Sequence, residues 1–327
     1  MLVALGLSIL AGRWLRKSLI EAAAIGLLIL CGCANLALTV SQALLLPTWL
    51  FGLLAALIST VTVFLLRRFV IAGYGASSSV DWFFVTATTP PLIAFYITNI
   101  IQPDPSADLA SMQAWPILYA QEAFSQGHFF DVSKTTIGDG HLASLNYYLD
   151  LFGATVLARW FGMEAPYPAY HAVSMLAAML GFQILALSFK RHRVALVLFS
   201  LVTLAFLRHD DFYRLWLGYN WLEVLIYLGG AQIIYYSAKG HGRNDALVMA
   251  AIVSVFLVFS RHYGAFYSTF ILIFAWLLFV DRRRNLFQKA LQPRWMVLGL
   301  LLTTFSLREL YYLAFRQTPS TRACRSW

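Results

Sequence analysis

Apolar residues along this chain gather in long runs, and short polar clusters separate one run from the next. A helix needs about 20 apolar residues to cross a bilayer core. Nine runs come close to that: residues 18–40, 44–66, 82–101, 167–189, 194–207, 215–236, 246–260, 264–280 and 295–315. The fifth, seventh and eighth are short, and they fit by tilting little, thinning the bilayer locally or extending into their flanks. The pattern predicts an all-α protein, a polytopic transmembrane helix bundle of about nine spans. Residues 1–101 form an N-terminal membrane segment, 102–166 an external loop, and 167–327 a C-terminal bundle.

One further apolar segment, 141–162, has a different texture. Leu142, Leu145, Leu149, Phe152, Val156 and Trp160 recur at three- and four-residue spacing, with Ser144, Tyr148, Asp150, Thr155 and Arg159 between them. That is the signature of an amphipathic helix lying in the interface. A tilted span with a buried Asp150–Arg159 pair is the alternative, and charge at membrane depth argues against it.

Charge gives direction. Lys and Arg accumulate on the cytoplasmic side of membrane proteins. If Arg13, Arg16 and Lys17 are inside and segment 141–162 does not cross, 15 of the 24 basic residues are cytoplasmic and five lie in external loops. A crossing by 141–162 would place every later basic cluster on the wrong side. The start of the chain lacks a signal-peptide pattern, because the basic cluster follows the first short apolar stretch instead of preceding it. The expected location is a bacterial inner membrane, with the N-terminus in the cytoplasm.

Composition agrees with a lipid solvent: 60% of residues are hydrophobic and 12% charged, against about half and a quarter in soluble domains. The net charge of +9 does not point to nucleic acid, since the basic residues sit in the short clusters that read as topology signals. Cys31 and Cys33 lie inside an apolar run, and no C-x-x-C spacing suggests a metal.

Acids are as unevenly placed as bases. Nine of the 15, including Asp104, Asp108, Glu122, Asp131, Asp139, Asp210 and Asp211, are external under this topology. Long structured loops are often functional, and loop 102–166 also carries His128 and the turn Gly138-Asp139-Gly140-His141. Transfer chemistry at a lipid–water boundary suits this set. A carboxylate can act as general base on an acceptor hydroxyl, and an Arg can hold a lipid-linked phosphate. Asp108 is the candidate base, supported by Asp104 or Asp139. Asp131, His141, Arg261 and His262 are candidate substrate ligands. Asp210 and Asp211 could hold a divalent cation, or form a solvated salt-bridged turn. Glu223 is read as an intramembrane acid, which lines a substrate cavity or bridges helices.

Three stretches resemble the GT-C superfamily of integral membrane glycosyltransferases, whose members include protein O-mannosyltransferases and lipid A aminoarabinose transferases. "YAQEAFSQGHFF" (119–130) resembles the family's loop helix and Gly turn. "GDGHLASLNYYLDLFGATVLARWFG" (138–162) resembles its Tyr-rich juxtamembrane helix, and "YPAYHAVSMLAAMLGFQILAL" (167–187) looks like the span that follows. The resemblance implies loop acids as catalytic groups, a polyprenyl-phosphate-linked sugar donor, and an external glycan, lipid or protein acceptor. Asp108 is the nearest match to the family's first loop acid. It lies further upstream of Gly127 than the pattern has it, and Gln113 stands at about the expected place. Runs 18–40 and 44–66 form a hairpin ahead of what would be the family's first span, and no soluble domain follows run 295–315. The pattern therefore allows the C-terminal bundle to be a truncated one. A polytopic transporter or flippase, and a non-catalytic membrane subunit, stay open as alternatives.

Overall fold

The computed structural model describes residues 6, 9–10, 12–13, 18–69, 80–101, 121–129, 166–189, 192–206, 221–238 and 243–258. Among them the named elements are all helices: α1 (Leu19–Ala43), α2 (Thr48–Phe69), α3 (Trp82–Ile101), α4 (Pro166–Ser188), α5 (Arg193–Phe206), α6 (Trp221–Ala238) and α7 (Arg243–Val258). They overlap the first seven predicted runs, and residues 215–220 of the sixth run lie outside the described residues. The expected interfacial helix at 141–162 and the runs at 264–280 and 295–315 lie outside the described residues.

Local chemistry sets the helix ends. Ser18 precedes α1, and its backbone N–H donates to Oε2 of Glu21 at 3.3 Å, the carboxylate half of a capping box. Asp81 caps α3 by accepting the Phe84 N–H at 3.1 Å. At the other end of α1 the predicted boundary moves. Residues 44–46 were expected to open the second span, but they form a turn. The Leu46 N–H returns to the Ser41 carbonyl at 2.9 Å, and Leu45 takes φ 52°. This is a Schellman ending with leucine where glycine is usual, and the left-handed conformation costs about 1–2 kcal/mol at a residue bearing a Cβ. Pro47 then leads directly into α2.

Pro90 and Pro91 lie inside α3. They remove two helical N–H donors in mid-span, a loss tolerated where neighbouring groups compensate. The Thr86 and Thr88 hydroxyls donate back to the Trp82 and Phe84 carbonyls in the same stretch.

Among the described residues the core has three clusters, two of which share α4. The main cluster joins α1, α2, α4, α6 and α7 through residues such as Ile25, Leu28, Leu180, Ile184, Leu228, Val253 and Leu257. A second places Phe182 and Ala186 of α4 against Phe84, Leu92 and Val197. Glycine lets helices approach closely at two points: Gly32 faces the ring of Phe256, and Gly229 faces Val253. Small residues at helix contacts are how membrane bundles bring backbones together.

Contacts fix relative directions. Tyr235 near the end of α6 meets Glu21 at the start of α1, so these helices are antiparallel. The Phe84 ring packs edge-on against Phe182, with centroids 6.3 Å apart, and Arg193 sits over the Phe83 ring at 5.3 Å. The start of α3 thus meets the end of α4, and these two are antiparallel as well. The chain between them leaves and re-enters at one end of the pair.

Among the described residues two helical stretches are long and apolar enough to cross a membrane, Leu19–Leu38 and Thr48–Arg67. On α2, large apolar side chains including Trp49, Leu53, Leu57, Phe64 and Leu65 are exposed. So long an exposed apolar stripe on one helix marks a membrane or protein contact, and the two apolar stretches suggest membrane association.

Candidate functional site

Two polar constellations stand out among the described residues. The first is the docking of residues 121–129 onto the α1–α2 turn. Residues 121–126 are helical, and Gly127 turns the chain with φ 75°, a conformation glycine adopts without strain. Residues 127–129 then pair with residues 46–48. The Thr48 N–H donates to the Gly127 carbonyl at 3.0 Å and the Phe129 N–H to the Leu46 carbonyl at 2.8 Å, which frame an antiparallel bridge between Pro47 and His128. The Thr48 N–H is one of the donors a helix start leaves without an intrahelical partner, so the loop caps α2. Ala123 and Phe129 are buried with Ala37, Leu38 and Phe51. The Phe51 and Phe129 rings meet edge-on, with centroids 6.4 Å apart.

Polar groups line the exposed side of this segment. The Gln126 amide donates to Oε1 of Glu122 at 2.6 Å, and the Ser125 hydroxyl donates to the Glu122 carbonyl at 2.8 Å. Nδ1 of His128 lies 3.0 Å from the Gln126 carbonyl. A carbonyl only accepts, so that nitrogen carries the proton, and in the neutral ring Nε2 keeps its lone pair. The arrangement presents a carboxylate and an imidazole beside the α1–α2 turn. The sequence reading counted Glu122 and His128 as loop residues without roles. The signal was present in the Gly127 turn, but its docking surface lies about 80 residues earlier in the chain.

The second constellation lies inside the bundle. Glu21 is 3% exposed, and its Oε1 accepts a hydrogen bond from the Tyr235 hydroxyl across 214 positions of sequence. Gln232, one turn before Tyr235 and Tyr236 on α6, is fully buried, and neither polar atom of its amide has a hydrogen-bond partner among the described residues; the buried Gln183 amide of α4 is alike in this. Sequence reasoning treated Glu223 as the acid well within a span and passed over Glu21, although Ser18 and Glu21 already stood at capping-box spacing. Cys33 donates to the Thr62 hydroxyl at 3.5 Å within the α1–α2 hairpin.

Most of the expected site falls elsewhere. Asp104, Asp108, Asp131, Asp139, His141, Asp210, Asp211, Arg261 and His262 lie outside the described residues. Glu223 is the third residue of α6, and its side chain is also outside them. Among the described residues no three His, Cys, Asp or Glu side chains come together as a metal site would need. Comparison with known proteins finds no matching family model, no similar curated protein and no similar solved structure.

Proposed function

We propose that this protein is a membrane glycosyltransferase of about nine spans, which transfers a sugar from a polyprenyl-phosphate-linked donor to an acceptor outside the cytoplasm. One observation carries the reading. The chain between α3 and α4 returns to the end of the helix pair from which it left, and residues 121–129 within it are tied to the α1–α2 turn. A single crossing by segment 141–162 would not suit that geometry. An acid-rich layer at the headgroup zone does. The positive-inside pattern supports a cytoplasmic N-terminus in a bacterial inner membrane.

In this reading Asp108 is the general base, and Asp104 and Asp139 support it. Arg261 and His262 neutralise the donor phosphate. Asp131, His141 and Glu223 contact substrate, and Asp210 with Asp211 is the place for a divalent cation if one is used. The test uses membranes supplied with polyprenyl-phosphate-linked mannose or aminoarabinose. Asp108→Ala should abolish transfer of label out of the lipid fraction while the protein stays at wild-type abundance. Unchanged transfer removes the assignment.

Transport or flipping of lipid-linked cargo is the second reading, favoured by the buried Glu21–Tyr235 pair and the Gln232 and Gln183 amides. Polar groups at membrane depth commonly line substrate paths. Uptake of unaltered cargo into sealed vesicles would choose it over transfer.

A further inference from the structure

Helices α1, α6 and α7 meet at a junction that holds more polar groups than its hydrogen bonds satisfy. Glu21 of α1 is buried, and it accepts from the Tyr235 hydroxyl of α6 and from the Ser18 N–H. Gln232 lies three residues before Tyr235 and four before Tyr236, so it shares their face of α6. It is 0% exposed, and neither Nε2 nor Oε1 of its amide has a hydrogen-bond partner among the described residues. Folded proteins seldom leave a buried amide in that condition, because a polar group taken out of water without a new partner bears the full cost of its desolvation.

Contacts between the helices show what stands across from that amide. The Glu21–Tyr235 bond sets α1 antiparallel to α6. One turn back along α6 from Tyr235 therefore meets one turn on along α1 from Glu21, at Ala24 and Ile25. Gly229 faces Val253 of α7, and the short link between Ala238 and Arg243 makes α6 and α7 antiparallel neighbours as well. One turn on from Gly229 then meets one turn back from Val253, at Met249 and Ala250. All four of these residues are buried and apolar. The alanine on each side takes up little space and offers the amide no polar partner.

We propose that the α1–α6–α7 junction is a binding site for an ordered water, held between the Gln232 amide and the Glu21–Tyr235 pair. One helical turn rises about 5.4 Å, the distance that two hydrogen bonds of about 2.8 Å cover end to end. Water donates and accepts at once, so it matches both ends of a carboxamide. A metal cation would take the carbonyl oxygen and leave the N–H donors as they are. The site puts water one turn inside the bundle beside Glu21, a buried acid, where a further hydrogen-bonding group lowers the cost of burying a carboxylate. It depends on neither sugar transfer nor transport.

The test uses full-length protein in detergent, exposed in oxygen-labelled water to brief X-ray pulses that turn bound water into hydroxyl radical. Tyr235 and Phe84 are equally buried, each 1% exposed, and the apolar cluster around Phe84 serves as the dry reference. Tyr235 should take up several-fold more label than Phe84, and Gln232→Leu should bring it down to the level of Phe84. Equal labelling in the wild-type protein overturns the site, and so does Tyr235 labelling that survives Gln232→Leu. Thermal unfolding gives an independent check. A dry amide is a penalty that Gln232→Leu removes, so a melting temperature several degrees higher overturns the water, and an unchanged or lower one is expected. If the variant does not fold, the wild-type comparison of Tyr235 with Phe84 still decides.

Discussion

The two helices of the N-terminal hairpin are close to equal in length and hydropathy, yet 78% of the apolar window of α1 is buried within the protein and 17% of that of α2. Lipid tails are as apolar as leucine, so hydrophobicity alone does not drive one span against another. The difference lies in side-chain size and polarity. Helix α1 presents Ala22, Ala23, Ala24, Gly32 and Ala37, together with Glu21 and Asn35, and α4, α6 and α7 close around it. Helix α2 packs mainly on α1 and turns Trp49, Leu53, Leu57 and Phe64 outward. The pair shows that near-equal hydropathy leaves a helix's neighbours open, and that small and polar residues select them.

Four substitutions can break or sharpen this contrast. The largest effect is expected from Gly32→Leu on α1. A side chain there would run into the Phe256 ring, and overpacking at a tight crossing costs about 3 kcal/mol or more. The variant should lose most of its monodisperse fraction on detergent extraction, and normal behaviour would mean that α1 and α7 do not pack closely. Next is Leu57→Arg on α2. A basic residue at the centre of a lipid-facing span costs about 3 kcal/mol to insert, so a hairpin insertion reporter should show reduced crossing. A helix exposed to water would tolerate the change, and that result would remove α2 from the bilayer.

Tyr235→Phe should come third. It takes away one of the hydrogen bonds that Glu21 accepts, and a single intramolecular hydrogen bond contributes about 1 kcal/mol net. Thermal stability in detergent should fall by several degrees, and an unchanged melting temperature would deny the link between α1 and α6. The smallest effect is expected from Leu57→Ala. A lipid-facing leucine makes few protein contacts, so stability should move by less than about 0.5 kcal/mol. A loss comparable to that from a core leucine would show that α2 has another helix on its outer face.

The helices themselves were easy to read. Runs 18–40, 82–101, 167–189 and 194–207 became α1, α3, α4 and α5 almost unchanged, because a long apolar segment satisfies its backbone within itself as a helix. Where reading failed, a non-local contact was at work. Leu44, Leu45 and Leu46 are as apolar as any span residue, yet they form the turn that receives residues 127–129. Glu21 looked like an ordinary residue at a helix start until Tyr235 arrived beside it. The expected acids at Asp104, Asp108 and Asp139 were chosen by residue type and placement alone, and Glu122 and His128 joined the candidates only once the loop was seen docked.

By itself, the sequence determined that the described segments are helical, that these helices are apolar along their length, and where basic residues divide the apolar runs. Those properties belong to each segment and its solvent. The tertiary structure decided which equally apolar helix lies inside, that the end of α4 returns to the start of α3, and that the loop is tied to a turn far back in the chain. Such pairings depend on which surfaces meet, and a bilayer offers all apolar surfaces nearly the same reception.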